Sequence, residues 1–452
     1  MSEPASPNAQ RPKPKRSITF ANITRNSAAA SRRPDVPRSI SFAHPQQQDR
    51  RRPGAPPRAL SFCDTRFTPS GPNLALRQGS VSGPLAFLNP TTAIFDICAD
   101  DGLPSEATDP EHGGERARVR WNAREFRKGR HVFVLPRAAP LAHRLRTTSR
   151  PRRVLLGLLR MATVFPYWDV SWLIGVCFTV GCALFIACGF FYWLPVAYPA
   201  TAFAHEADVA GGVVAFVGAT LFQVGAALLM LEAWNDRAET KFGGAMETLL
   251  ADRFGLRRGA AQDKEETTTP VEGEETTARP ENGPPTPPRR LNPFGEREWQ
   301  WLPSWHDVRT HYVYEIGFLA SATMALGATV FYLCGILALP GIHLSAQAKW
   351  GAYYLPYLVG GILFALASVL YVLETQPNWY TPQPCKMGWH VGVFNLIGGV
   401  GWTLAAAFGY CDAHWCRYQS ELALIWASIA FTFGSALQWY EALDKYVFVI
   451  ED

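Results

Sequence analysis

The chain has 452 residues, of which 48% are apolar or aromatic, with 43 Lys and Arg against 38 Asp and Glu. Residues 1–160 hold 28 Lys/Arg against 12 Asp/Glu and the remainder 15 against 26, so an excess of +16 in front is followed by −11 behind. Such asymmetry describes a basic segment attached to something else, and the long apolar runs behind it exclude a plain soluble domain.

No apolar h-region opens the sequence, so no secretory signal is expected. The front is rich in Arg and Ser, as transit peptides are, but Pro4, Pro7, Pro12 and Pro14 forbid a continuous amphipathic helix there. Residues 1–84 are rich in Pro, Ser, Arg and Gln, a composition that buries too little apolar surface to offset chain entropy. The expected first unit, residues 1–150, is therefore a basic, mostly disordered cytosolic tail. Within it Arg16-Ser17-Ile18-Thr19-Phe20-Ala21 recurs as Arg38-Ser39-Ile40-Ser41-Phe42-Ala43, and more loosely as Arg58-Ala59-Leu60-Ser61-Phe62-Cys63. Each copy sets Arg three residues before a hydroxyl, the preference of basophilic protein kinases. Phosphates on Thr19, Ser41 and Ser61 would cut the positive charge of the tail. Chance similarity in an Arg/Ser-rich tail is the plainer reading.

Residues 85–150 are ambiguous. Leu85 to Cys98 is modestly apolar; Arg116 to Arg130 is densely basic around Trp121 and Phe126; His131-Val132-Phe133-Val134-Leu135 is strand-like. A basic run with aromatics suits nucleic acid, but its position just before a span favours anionic lipid headgroups, and no nucleic-acid partner is expected. Residues 151–165 follow, with Leu155, Leu156, Leu158 and Leu159 behind Arg152 and Arg153, the pattern of an interfacial amphipathic helix.

Six candidate spans come next, at 172–197, 211–233, 313–339, 353–373, 388–410 and 421–440, none containing Lys or Arg. A span needs roughly 20 mainly apolar residues. Short loops pair them into hairpins over 166–235, 312–375 and 376–441. Basic residues crowd the flank before the first span and the 236–311 loop, whereas the loops 198–210, 340–352 and 411–420 hold only Lys349 and Arg417. The positive-inside rule then places both termini, including the short tail 442–452, in the cytosol. The compartment, plasma membrane or endomembrane, stays open. The long loop is read as an amphipathic helix over 236–256, then an acidic and Pro-rich disordered stretch in which Thr286-Pro287 suits a proline-directed kinase. Trp299, Trp301, Trp305 and Tyr312 are placed in an interfacial aromatic belt.

The return helices align on one another without gaps. Phe222, Gly225, Ala226, Leu228 and Glu232 correspond to Phe364, Ala367, Ser368, Leu370 and Glu374, and to Phe431, Gly434, Ser435, Leu437 and Glu441. Gly181, Phe185, Cys188 and Gly189 likewise match Gly327, Phe331, Cys334 and Gly335, while the fifth span offers Gly401, Phe408 and Gly409 in that register. The expected fold is thus an all-α membrane protein of three repeated hairpins, with a disordered N-terminal tail. Gly388 and Gly392 form a GxxxG, which suits close helix packing in lipid and suggests that the fifth span is central.

Each hairpin resembles the small YrhK-type two-helix membrane domain. The run Trp389-His390-Val391-Gly392-Val393-Phe394-Asn395-Leu396-Ile397-Gly398, with Gly434-Ser435 and Gln438-Trp439-Tyr440-Glu441, resembles an uncharacterised fungal group of multi-pass integral membrane proteins. The resemblance spans about residues 160–450 and implies a fold and a topology, with no activity attached.

Three places could carry chemistry. Glu232, Glu374 and Glu441 end the return helices, and Asp169 and Glu315 open the first and third spans, all near one face. A set of carboxylates there could bind cations or pass protons. Alternatively they are caps: Asp169 and Glu315 suit helix N-termini, and Arg237, Lys386 and Lys445 stand close enough to compensate the other three. Gln223 and Asn395 are polar residues inside spans that suit bonds between helices. Cys411 and Cys416 flank a short loop and could form a disulfide in an oxidising compartment, remain thiols, or join His205, Glu206, Asp208 and His343 around a metal. Cys177, Cys182, Cys188 and Cys334 read as small buried hydrophobes. No Walker loop, HExxH, nucleophile elbow or dinucleotide fingerprint is present, so no catalytic residue, cofactor or metal is expected. Two functions remain open: a non-enzymatic scaffold or sensor with phosphorylatable segments, and a small transporter or channel using the carboxylates.

Overall fold

A computed structural model describes residues 74–77, 79–97, 118–136, 151–235 and 299–451. Thr19, Ser41, Ser61, Thr286, Arg237 and the amphipathic stretch 236–256 lie outside these residues.

Among the described residues, six helices are long and apolar enough to cross a membrane. Their α-helical parts are α3 (Val170–Ala197), α4 (Gly212–Trp234), α5 (Ile316–Leu337), α6 (Leu355–Glu374), α7 (Met387–Phe408) and α8 (His414–Ala442). Short helical turns extend α4 back to Glu206 and α6 back to Ala346. In hydrocarbon every backbone N–H and C=O must be satisfied inside its own segment, which leaves the helix as the form for such runs. Neighbours in sequence are neighbours in space: α3 packs on α4, α4 on α5, and so on to α8, which returns to α3. The six therefore close a ring. α7 is one of its members, between α6 and α8, and not a central helix.

Two layers of rings fill the axis. Phe222, Phe364 and Phe431, from α4, α6 and α8, stand with ring centroids 5.3, 6.1 and 6.1 Å apart. Phe185, Phe331 and Trp402, from α3, α5 and α7, form a second triangle at 5.6, 5.4 and 5.0 Å. α7 thus enters with Trp402, not with the register that Gly401, Phe408 and Gly409 suggest. An indole has the size to take the place that Phe holds on α3 and α5.

Outside the ring lies a five-stranded sheet in the order β1 (Leu74–Leu76), β2 (Thr92–Ile97), β3 (Arg118–Asn122), β4 (His131–Pro136) and β5 (Tyr446–Glu451). Pairings are antiparallel except β4 with β5, which is parallel and sets His131 against Tyr446. Four of these strands, β1 to β4, fall inside the segment 1–150 that composition reads as a mostly disordered tail. Ala93, Phe95, Val119, Trp121 and Phe126 form a small core of their own, enough apolar area to order the strands that carry them. The backbone of Tyr446–Glu451, within the short C-terminal tail, joins the sheet as β5.

The helix α2 spans Pro151–Thr163, within the stretch 151–165 where a helix is expected. Its Gly157 lies against the Tyr440 ring of α8, and Arg160 donates to the Leu443 carbonyl. Leu155, Leu156, Leu158 and Leu159 stay exposed. Of the expected aromatic belt, Trp305 is exposed, but Tyr312 is buried against Phe318 and donates to the Trp234 carbonyl.

Candidate functional site

The site begins with a turn between two strands. Asn122 ends β3 and accepts from the backbone N–H of Arg124 and Glu125, which starts the one-turn helix α1 (Ala123–Arg127). Lys128 closes it, and Gly129 at φ 60° turns the chain back into β4. Four cations therefore leave one tight turn: Arg124, Arg127, Lys128 and Arg130.

They meet the carboxylates of the return helices. Arg124 holds Glu441 in a two-pronged contact at 2.7 and 2.6 Å, and Arg130 adds a third bond at 2.7 Å. Arg127 holds both oxygens of Glu374. Glu232 has Arg127 Nε at 3.8 Å and Lys128 Nζ at 3.9 Å, and it accepts from the Ser171 hydroxyl. Glu232 and Glu374 have no exposed surface and Glu441 is 1% exposed, so the charges lie in a medium where an unpaired ion would cost several kcal/mol. Glycines make the room. At Gly388 a Cβ would sit 2.6 Å from an Arg124 nitrogen, and at Gly317 it would collide with Arg127 and Glu374. Gly388 thus serves a guanidinium, while Gly392 of the same GxxxG meets Val372 of α6.

The remaining cations and anions settle elsewhere. Asp169 caps α3 by accepting from the Ser171 N–H, and pairs with Lys445 at 2.7 Å. Lys445 also donates to the Lys128 carbonyl, tying the stretch after α8 to the basic turn. Lys386 donates to the Thr375 carbonyl. Glu315 stands apart with His311 at 2.8 Å. The neutralising groups are thus the basic turn, and not Lys386 and Lys445; Arg237 lies outside the described residues. The Arg116–Arg130 run meets protein carboxylates over residues 124–130, not the headgroups expected of it.

Burial works against the cations unless they are paired. The Arg124 and Arg127 guanidiniums lose hydration, yet Glu441 and Glu374 beside them more than restore the charged form. Lys128 lacks so close a partner, and burial pulls it down to about 8. His131 at the start of β4 is pushed down to about 4 by burial, with the Lys445 ammonium acting in the same direction. Between the basic turn and the rings lies a cavity of about 30 Å³, lined by Arg124, Arg127, Lys128 and Glu232 at one end and Phe222 and Phe431 at the other.

The other candidates separate. Gln223 is half-buried and donates to Thr329 of α5 at 3.1 Å, a bond between helices as expected. Asn395 is also half-buried, with its Oδ1 against Gly434. Cys411 and Cys416 are disulfide-bonded at the end of the ring away from the basic turn. Among the described residues no group of three or more His, Cys, Asp or Glu is placed to hold a metal ion, and His205 pairs with Asp208 instead.

Comparison with known proteins finds no match: no family model, no curated protein and no solved structure is similar to this chain. The six spans define a multi-pass membrane protein in a lipid bilayer, and its candidate site is the ring of carboxylates capped by the basic turn.

Proposed function

We propose that the protein is a non-enzymatic membrane scaffold or sensor. On this reading the ring of helices is a fixed platform that holds the sheet module at one membrane face and presents the basic, phosphorylatable segments around it. The observation that carries it is the state of the acidic set. Two of its members, Glu374 and Glu441, are engaged by guanidiniums, and all three sit beneath the cap. The axis behind them is filled by two layers of aromatic rings, about 15 Å along α4 from Glu232 to Phe222 at 1.5 Å per residue. A transporter or channel working through these carboxylates needs them facing water on an open path, so the packing favours the scaffold.

Reconstituted in proteoliposomes, the full chain should show proton and monovalent-cation flux no greater than protein-free vesicles, unchanged in Glu374→Gln. Flux well above that background, lost in the Glu→Gln variants, would establish the transporter in its place.

The capped end is taken as cytosolic. The positive-inside rule supports this, and the Cys411–Cys416 disulfide at the other end fits a lumenal or extracellular space. Protein kinases acting on Thr19, Ser41, Ser61 and Thr286 are the proposed regulators. The recurrence of Phe and Glu at matched levels supports three repeats of one YrhK-like hairpin. α2 is proposed to lie in the interface, with its leucines among acyl chains and Arg160 toward anionic headgroups. A spin label at Leu155→Cys should then report an immersion depth within the headgroup and upper acyl region. A fully aqueous label would remove α2 from the membrane.

A further inference from the structure

The ring of ion pairs is uneven. Glu441 and Glu374 are each held by both prongs of a guanidinium, whereas the cations nearest Glu232 stay at 3.8 and 3.9 Å, beyond hydrogen-bond reach. Among the described residues, four buried atoms here have no hydrogen-bond partner: Lys128 Nζ, Arg127 Nε, Glu232 Oε2 and Asn395 Oδ1. The residues that carry them line one cavity of about 30 Å³. Lys128 and Arg127 are 3% and 6% exposed and Glu232 is fully enclosed, so bulk solvent does not satisfy them. A single water needs about 10–15 Å³ and two to four polar partners, and both conditions are met. A polar gap near 4 Å is one that a water bridges.

We infer that Lys128 and Glu232, linked through water in this cavity, form a proton-binding site whose occupancy sets how firmly the cap is held. The inference rests on the sensor side of the reading above and names its stimulus as the proton. When the site empties, an N–H bond of the Lys128 ammonium breaks, its electron pair stays on Nζ, and the proton leaves through the cavity water. Arg127 Nε and the Ser171 hydroxyl stay beside Glu232.

The groups around Lys128 are countable. Glu232 of α4 and Glu441 of α8 favour its charged form; Arg124 and Arg127 of its own turn oppose it. Tyr371 of α6 and Cys182 of α3 line the same cavity, and Lys445 reaches the Lys128 carbonyl and not its ammonium. Burial outweighs the rest and brings the group to about 8, against an ordinary value of 10.5. A released Lys128 returns to that ordinary value. Between these limits the released form binds more protons, so cap docking strengthens as pH rises from about 8 to 10.5 and is weakest below 8. His131, near 4, lies far from this window.

The test is a titration of the full chain in detergent micelles with its lysine side chains isotope-labelled for NMR. One lysine resonance, missing in Lys128→Arg, should titrate near pH 8. In Glu232→Gln that midpoint should move to lower pH, because a favouring charge is gone. Hydrogen exchange over residues 118–136, corrected for its intrinsic pH dependence, should slow as the resonance titrates. A Lys128 midpoint at the ordinary lysine value of 10.5, or one unmoved in Glu232→Gln, overturns the site. Neither result depends on flux, so failure here and failure of the scaffold reading are distinguishable.

Discussion

Arg127→Met should release the cap. The substitution keeps most of the stem volume and leaves Glu374, which has no exposed surface, without its partner. Removing one member of a buried pair costs about 3–5 kcal/mol. Backbone hydrogen exchange over β3 and β4 should therefore quicken by about two to four orders of magnitude. Glu374→Gln should do the same for the opposite reason, by stranding a guanidinium. The double variant Arg127→Met/Glu374→Leu should recover much of the loss, since apolar replacement of a whole buried pair is often neutral. Exchange within threefold of the unmodified chain in both single variants would mean that the cap is held by something other than these charges.

The second large effect is expected at Trp402→Ala. The indole has no exposed surface and its centroid lies 4.4 to 5.6 Å from those of Phe431, Phe331, Phe185, Phe364 and Phe222. Its Nε1 donates to the Ser428 hydroxyl at 3.1 Å. In a bilayer the helices gain nothing from escaping water, so contacts of this kind carry their association. Truncation removes dispersion contacts from five rings at once and leaves a void that the ring of helices cannot collapse to fill. A loss of about 3–5 kcal/mol is expected in reversible unfolding from mixed micelles, with a much smaller loss in Trp402→Phe. Ser428 still donates to the Leu424 carbonyl, so the lost indole bond strands no hydroxyl proton. A variant that also bound benzene would report the void directly, as dry apolar cavities do. Unaltered unfolding in Trp402→Ala would show that the axis is not packed through this side chain.

Much of the membrane domain was legible. Span lengths, the short loops and the matched Phe and Glu positions all follow from local composition and spacing, which lipid makes strict. The fifth span departs from this pattern because Trp402, Ala405 and Ala406 stand where the first and third spans carry Phe, Cys and Gly. The carboxylates were legible as a set, since a Glu ends each return helix where the dipole disfavours it. Their partners were not. Arg124 lies 317 residues from Glu441, and a basic run looks the same whether it faces headgroups or carboxylates. One signal was available: Arg124, Arg127, Lys128 and Arg130 are four cations within a single turn, a density that suits a compact acidic target better than a membrane plane. Tyr446-Val447-Phe448-Val449-Ile450 also carried strand composition, hidden by its place at the end of the chain.

The parallel pairing of β4 with β5 joins a strand made before the first span to one made after the last. During synthesis the basic turn emerges early, and Glu441 and β5 follow only some 317 residues later. At about 5–20 residues per second, that is a delay of roughly 15–60 s in which four buried-type cations have no complete socket. The cap is then a seal that closes only once α8 and β5 have been made: a product cut short before α8 lacks the Glu441 socket for Arg124 and leaves β4 as an open sheet edge.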